Sequence, residues 1–168
     1  MGKPTRARTP RLPAHLALTA LAFLAGSRGV PAQSAPIEDL SHFPKATLDI
    51  TSGKRKAHFD IWIADTPQRE EQGLMFVRDL PARQGMLFPQ SAPRPMSMWM
   101  KNTFIELDLL FIDSTGRLSK IAARAVPQSL DTIDSGGPIS AVLEIKGGEA
   151  EKLGLHVGDH VKWSGVTQ

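Results

Sequence analysis

The chain has 168 residues and no cysteine, so it is long enough for one domain with a substantial core, and disulfide bonds are excluded. Its formal net charge of +3 comes from the first part of the chain, because five of the 20 Lys and Arg residues precede Gln33 and all 17 acidic residues follow it. The part from Gln33 onward therefore has a net charge of −2 (15 basic minus 17 acidic residues). This balance argues against a nucleic-acid-binding protein, since that class needs a basic face.

The first 32 residues have the pattern of a cleaved secretory signal peptide. A basic segment (residues 1–11) precedes an Ala- and Leu-rich stretch (12–25), and Val30-Pro31-Ala32 supplies the small residues of a cleavage site. The apolar stretch is too short to span a bilayer comfortably, so cleavage near Ala32 is expected and an uncleaved N-terminal anchor is the alternative. We therefore expect a periplasmic or secreted protein that touches the membrane only through an uncleaved leader, if at all.

Residues 33–45 are predicted to be a linker, and residues 46–166 a single β domain. Apolar and polar residues alternate over 46–51 and 57–63, which predicts two strands joined by a turn. A short helix follows: Thr66 suits its N-cap, Pro67 its first position and Gly73 its left-handed end.

The rest of the chain is predicted to be mostly short strands. Further strands are expected at residues 86–88, 103–112, 117–126, 139–146 and 160–163, and a second short helix at 149–153. About eight short strands with two helical turns predict a mainly β fold, an antiparallel sandwich or a jelly-roll-like barrel with two short helices.

Six segments occur in an order that resembles one known family. They are GLMFVRDL (73–80), GMLF (85–88), WMKNT (99–103), LDLLFID (107–113), SGGP (135–138) and VLEIKGGEAEKLGLHVGD (142–159). Over roughly residues 46–163 the chain resembles the domain-of-unknown-function 192 family. The resemblance implies an exported bacterial protein with a mainly β fold of sandwich or jelly-roll type, and it implies no established activity. The chain departs from the usual family pattern at Arg69-Glu70 and at Met98.

The polar segment at 101–103 has two interpretations: a turn between strands, or the rim of a small polar pocket. On the following strand, Asp108 lies at the border between a polar half and an apolar half of one face. A carboxylate at such a border is stabilised by a nearby cation, and Lys101 is the nearest in sequence. We therefore predict a partly buried Lys101–Asp108 pair at the pocket.

Glu144 also has two interpretations. It is either a solvent-facing strand residue or a second carboxylate that shares a cleft with Asp108. Two carboxylates with separated pKa values could perform acid–base catalysis, so a carboxylate-dependent hydrolase is the enzymatic alternative. The predicted ligand-binding residues are Lys101, Asn102, Thr103, Asp108 and Glu144, with Trp99 and Met100 as an apolar wall.

The five methionines that follow the leader all lie between residues 75 and 100. Thioethers bind Cu(I), but Met96, Met98 and Met100 also alternate as the core residues of a strand do. We interpret them as core residues and expect no cofactor, with Cu(I) bound by these three methionines as the alternative. A zinc site is not indicated, because Gly158-Asp159 separates His156 from His160.

These features together predict an exported binding or accessory module with a small polar pocket. Its expected partner is an unknown small molecule or an envelope protein, and no nucleic acid. Catalysis is not expected from the residues alone.

Overall fold

The structure is a computed structural model that describes residues 1–2 and 39–167, with side-chain burial described up to Ser164. The chain divides into two units, Met1–Ser34 and Ala35–Gln168, and the fold below is that of the second. The predicted signal peptide, apart from residues 1–2, and residues 33–38 of the predicted linker lie outside the described residues. No helix in the described part is long and apolar enough to cross a membrane.

The described residues form nine β-strands and two short α-helices. The strands are β1 (Lys45–Ser52), β2 (Arg55–Ile63), β3 (Gln84–Arg94), β4 (Ser97–Met98), β5 (Leu107–Ile112), β6 (Leu118–Ala125), β7 (Ile133–Asp134), β8 (Ile139–Lys146) and β9 (His160–Thr167). The helices are α1 (Pro67–Gln72) and α2 (Glu149–Leu153), and a 3-10 turn covers Leu40–His42. The prediction of a mainly β fold with two short helices is confirmed.

Seven strands form one sheet in the order β6-β5-β8-β3-β2-β1-β9, and β4 pairs with β7 separately. All pairs are antiparallel except β2 with β3, which run parallel and are connected through α1. A single bridge joins Arg117 to His160, where the two edge strands approach each other. Because the pairing does not extend beyond this bridge, the described sheet is not a closed barrel and is consistent with a sandwich-like fold.

The large sheet separates two hydrophobic clusters. One face carries the first cluster, which includes Leu48, Phe59, Leu110, Leu143 and Ile145. The opposite face carries the second cluster, which includes Met86, Phe88, Leu107, Leu109, Phe111 and Val142. Successive side chains of a strand point to opposite faces, and both faces are covered here, so every residue of the interior strand β5 is buried.

The residues that begin and end α1 are those predicted. Thr66 Oγ1 accepts a hydrogen bond from the Arg69 amide at 3.3 Å, and Pro67 occupies the first turn. Gly73 ends the helix with a φ of 49° and donates its amide to the Arg69 carbonyl at 2.8 Å. This stop directs the next residues, Leu74 and Met75, across the second cluster.

The predicted strand at 103–112 begins later than expected, at Leu107. Asn102 has a φ of 55°, and the Thr103 amide donates back to the Met100 carbonyl at 3.0 Å. A turn therefore occupies the start of the segment whose apolar alternation resembles a strand.

Candidate functional site

A cavity of about 280 Å³, here called the α1 cavity, lies against the second cluster. One wall is formed by α1 and the residues that follow it, up to Met75. The other wall comes from the segment between Met96 and Thr103. Phe88 of β3 and Glu144 of β8 complete the lining from the sheet. The cavity therefore brings together residues from four parts of the chain.

Glu144 is a buried carboxyl group among apolar neighbours. Its side chain is 4% exposed, and it pairs in register with Met86 on β3 and Leu109 on β5, both fully buried. Its Oε2 atom is inaccessible to water and has no hydrogen-bond partner among the described residues. Burial raises the pKa of Glu144 from 4.5 to about 8, because an ionised carboxylate loses its hydration there. At neutral pH the group is mostly protonated and offers one O–H donor beside its acceptor oxygens.

Gly73 allows the backbone to pass close over this carboxyl group. A Cβ atom at this position would lie 3.2 Å from Phe88 Cζ and 4.0 Å from Glu144 Oε2. The φ of 49° also lies in the left-handed region, where other residues are strained. The glycine that ends α1 therefore also shapes the cavity.

Three of the predicted site residues lie in the wall opposite α1. The Lys101 Nζ atom lies 4.9 Å from the centroid of the Trp99 ring, and both side chains are exposed. Thr103 is buried, and its hydroxyl donates to the Lys101 carbonyl at 3.4 Å. The structure thus places Lys101, Thr103 and Trp99 in the same cavity as Glu144.

Asp108 does not belong to this cavity, and the predicted Lys101–Asp108 pair is wrong. Asp108 Oδ1 accepts hydrogen bonds from the amides of Arg124 (2.8 Å) and Gly148 (2.9 Å). Its Oδ2 accepts one from the Ala150 amide at 2.8 Å. The carboxylate therefore caps the first turn of α2, whose N-cap residue Gly148 has no side chain for this purpose.

The predicted cleft between Asp108 and Glu144 is also wrong. In the β5–β8 pairing, Asp108 lies opposite Ile145, and Leu109 lies opposite Glu144. Because neighbouring residues of a strand alternate between faces, the two carboxyl groups point to opposite sides of the sheet. The predicted carboxylate pair for a hydrolase is therefore absent from this cavity.

Asn102 and Met100 lie beside the cavity without lining it. The Asn102 side-chain amide donates a hydrogen bond to Met75 Sδ at 3.8 Å. The backbone carbonyl of Asn102 accepts a hydrogen bond from the Phe76 amide at 2.9 Å. Met100 is 1% exposed within the second cluster. The turn interpretation therefore applies to Asn102 and the rim interpretation to Lys101, whereas a ligand-binding role for any of these residues remains a prediction.

The methionines at 96, 98 and 100 pack in or against the core, as predicted, and two of them also line the cavity. Met98 and Met100 are buried in the second cluster, and Met96 packs against it. Met75, Met96 and Met98 line the cavity. The proposed set of Met96, Met98 and Met100 therefore does not surround one space. The described residues contain no group of three or more His, Asp or Glu side chains suited to a metal ion.

Sequence reasoning missed the contribution of α1 and the residues after it. Glu70, Glu71, Gly73 and Met75 line the cavity, although nothing in their spacing connects them with Glu144. The sequence feature that points to this contribution is the glycine that ends α1, Gly73, followed directly by the apolar residues 74–76. That combination predicts a chain crossing over the core, but not which strand it crosses.

A larger cavity of about 460 Å³ lies elsewhere, beside β1 and β2, with Lys45, Thr47, Asp60 and Trp62 among its lining. None of the residues lining it has a buried side-chain atom without a hydrogen-bond partner, in contrast to Glu144. The smaller α1 cavity is therefore the better candidate for a specific site, because its polar group lacks a partner within the described protein.

Comparison with known proteins gives a family and a fold. The model of the DUF192 family, described as an uncharacterized ACR, matches residues 48–163. A crystal structure from Sinorhizobium meliloti 1021, described provisionally as a transcription regulator, is 38% identical with a TM-score of 0.70, and the match covers 72% of this chain and 95% of that one. A protein of unknown function from Novosphingobium aromaticivorans DSM 12444 is 35% identical with a TM-score of 0.72, covering 79% of this chain and 94% of that one. No curated protein matches the chain.

Proposed function

The chain belongs to the DUF192 family, and we propose that its α1 cavity binds a small organic ligand that interacts with the Glu144 carboxyl group. One observation carries this proposal: Glu144 Oε2 is buried and has no hydrogen-bond partner in the described protein. A buried polar group without a partner costs about 1–3 kcal/mol of stability. A ligand that supplies the missing interaction recovers this free energy as binding affinity.

The rest of the cavity supports a ligand of small size. Its volume of about 280 Å³ lies near the lower end of the range typical for small-molecule sites. Met96, Met98 and the exposed ring of Trp99 provide apolar surface, and Lys101 and Glu71 provide charges near the opening. Apolar walls with a few polar groups are the usual composition of such sites.

We also propose that the protein acts outside the cytoplasm, as a periplasmic or secreted binding or accessory module. This proposal rests on the signal-peptide pattern of the first 32 residues. An envelope protein is the alternative partner. The S. meliloti relative is described as a transcription regulator, but the net charge of −2 after Gln33 does not favour a nucleic-acid partner for this chain.

A thermal-shift screen of small molecules with the purified protein tests the proposed function. We expect a ligand that raises the melting temperature, since binding to the folded state alone stabilises it. The shift should disappear in Glu144→Leu and persist in Thr47→Ala, a matched control in the larger cavity near β1. If the shift is instead lost in Thr47→Ala and kept in Glu144→Leu, the ligand binds in the larger cavity beside β1 and β2, and the proposal is contradicted.

Cu(I) binding is a second candidate, favoured by the three thioethers of Met75, Met96 and Met98 in the lining of the α1 cavity. Competition with a chromogenic Cu(I) chelator tests it. If copper binds there, the double substitution of Met96 and Met98 by Leu should abolish competition. Met86→Leu, in the core beside Glu144, should leave competition unchanged.

A further inference from the structure

We infer that the ligand of the α1 cavity is a small primary amine, bound in its monocationic form with its ammonium group against Glu144. The inference rests on the proposed function and adds the chemical class of the ligand. It draws on three observations: the charges around the cavity, the contact between Lys101 and Trp99, and the lack of a hydrogen-bond partner for Glu144 Oε2 in the described protein.

The charges around the cavity favour a cation. Two carboxylates line it, those of Glu70 and Glu71, against the single ammonium group of Lys101, while Glu144 is mostly neutral until a cation binds. Glu71 is exposed and Glu70 half-buried, so both act on an approaching ligand from the opening. A concave site lined mainly by one sign of charge raises the local concentration of the opposite sign. An anionic ligand would meet repulsion from α1.

Lys101 indicates how an alkylammonium group packs on this surface. Its side chain is itself a butylammonium group, and its Nζ atom lies 4.9 Å from the centroid of the Trp99 ring. This distance is within the range of a cation–π contact. Lys101 is exposed, so its side chain can move into solvent when a ligand arrives. The Trp99 ring then remains available for the methylene groups of the ligand.

Glu144 supplies the deep half of the site. The titratable and charged groups that line the cavity with it are Glu70 and Glu71 from α1 and Lys101 from the opposite wall. The in-register neighbours of Glu144 are apolar, Met86 on β3 and Leu109 on β5, and Phe88 of β3 also lines the cavity. Burial keeps the carboxyl group mostly protonated at neutral pH. An ammonium group placed against it offsets the cost of ionisation.

Binding is therefore accompanied by proton release. The carboxyl group of Glu144 loses its proton to solvent, and the ligand's ammonium group, which keeps its own proton, becomes the partner of the carboxylate. The pKa of Glu144 in the free protein is about 8. Below this value we expect the affinity for the amine to rise about tenfold per pH unit, and above it to level off. A neutral ligand that only accepts a hydrogen bond from protonated Glu144 has no such rise.

Calorimetric titrations between about pH 6 and pH 9 test this class of ligand. The probes are n-butylammonium, n-butanol and butyrate, which share a carbon chain and differ in charge. We expect butylammonium alone to bind, with the pH dependence given above. Nα-acetyl-lysine N-methylamide distinguishes the source of the amine: tighter binding of this probe would assign the lysine side chain of a peptide, and weaker binding a free small amine.

Two substitutions and a control make the result specific. Glu144→Gln keeps the shape of the side chain but cannot ionise, so it should lower the affinity at pH 8 at least tenfold and remove the pH dependence. Lys101→Met removes the like charge and should raise the affinity for butylammonium several-fold. Lys146→Met is the control, because this exposed lysine pairs with Asp79 away from the cavity. It should change neither the affinity for butylammonium nor its pH dependence. Circular dichroism checks that all three variants fold.

The outcomes separate the two proposals. Binding of butanol or butyrate without butylammonium, lost in Glu144→Gln, would overturn the amine and leave the proposed function intact. Butylammonium binding that is independent of pH, or that weakens in Lys101→Met, would also overturn the inference. If no probe binds and no ligand in the thermal-shift screen depends on Glu144, both proposals fail.

Discussion

At the scale of single residues, two buried carboxyl groups of the same sheet have opposite surroundings. Asp108 accepts hydrogen bonds from three backbone amides, whereas Glu144 Oε2 has no hydrogen-bond partner in the described part of the chain. A fully hydrogen-bonded carboxylate stabilises the fold, and an unpartnered one destabilises it unless a ligand is bound. This difference assigns Asp108 to the structure and Glu144 to the candidate site.

Replacing Asp108 should therefore cost far more stability than replacing an exposed acid on the same part of the chain. Asp108→Ala leaves three amides without their acceptor, and we expect a loss of about 4 kcal/mol in the free energy of unfolding. Glu106→Ala removes an exposed ion pair with Arg124 and should cost less than about 1 kcal/mol. Urea denaturation of both variants measures the difference. Equal losses would contradict the capping role of Asp108.

Glu144 should make stability depend on pH in the direction opposite to a salt-bridged acid. Its pKa is about 8 in the folded protein and near 4.5 when unfolded, so between these values the folded state binds more protons. The stabilisation that the folded state gains by holding this proton is fully present below about pH 4.5 and is lost as the pH rises through 8. Relative to Glu144→Gln, the wild type should lose on the order of 1 kcal/mol per pH unit over this window.

Urea denaturation of both proteins at a series of pH values provides the measurement. The comparison with Glu144→Gln removes the titration of all other groups, since they are common to both chains. A free-energy difference that stays constant between about pH 5 and pH 8 would mean that Glu144 is hydrated or paired in solution.

At the scale of secondary-structure elements, the end of α1 determines the shape of the site. Gly73→Ala introduces a Cβ atom 3.2 Å from Phe88 Cζ at a φ of 49°. Gly53→Ala is a matched control, because Gly53 has a φ of 59° and nothing within 4 Å of the added atom. Gly53→Ala should lose roughly 1 kcal/mol from its positive φ, and Gly73→Ala at least as much, because its ψ of −135° lies outside the left-handed helical region. Gly73→Ala should lose a further 1 kcal/mol or so from crowding of Phe88.

Thermal or urea denaturation of the two glycine variants measures how much more stability is lost at Gly73 than at Gly53. Ligand binding provides a second readout, since only Gly73→Ala alters the lining of the α1 cavity. Equal stability of the two variants, together with equal binding, would show that the close approach at Gly73 is easily relieved.

The elements themselves were predictable to different degrees. Thr66, Pro67 and Gly73 act through local backbone chemistry, so the bounds of α1 could be read from the sequence. The alternation of residues 103–112 predicts a strand, and in β5 the alternate residues Leu107, Leu109 and Phe111 share the face of the second cluster. The register of β5 against β8 is a non-local property, and no local pattern fixes it. For this reason Asp108 and Glu144 were wrongly placed in one cleft.

At the scale of the whole molecule, the sheet keeps the site apart from the first hydrophobic cluster. The α1 cavity lies on the face of the second cluster, and the α2 cap with Asp108 lies on the other face. The mainly β class followed from many short alternating segments. The strand order and the parallel β2–β3 pair could not be predicted in this way, because several strand orders are compatible with the same alternation of apolar and polar residues.

Export remains a prediction about the whole chain. If the first 32 residues are a signal peptide, protein from a periplasmic extract should begin near Gln33. N-terminal sequencing measures this directly. A start at Met1 in membrane-bound material would support the uncleaved anchor, and a start at Met1 in cytosolic material would contradict export.

The position of β8 has a consequence for the synthesis of the chain. β8 is the second-last strand in sequence, yet it lies between β5 and β3 at the centre of the sheet. Until residues 139–146 leave the ribosome, β5 and β3 each have an unpaired edge with apolar side chains on both faces. Such nascent edges are targets for chaperones and for aggregation. The same strand brings Glu144 to Gly73, 71 positions away (144 − 73), so an intermediate without β8 in place lacks the cavity that we propose as the ligand site.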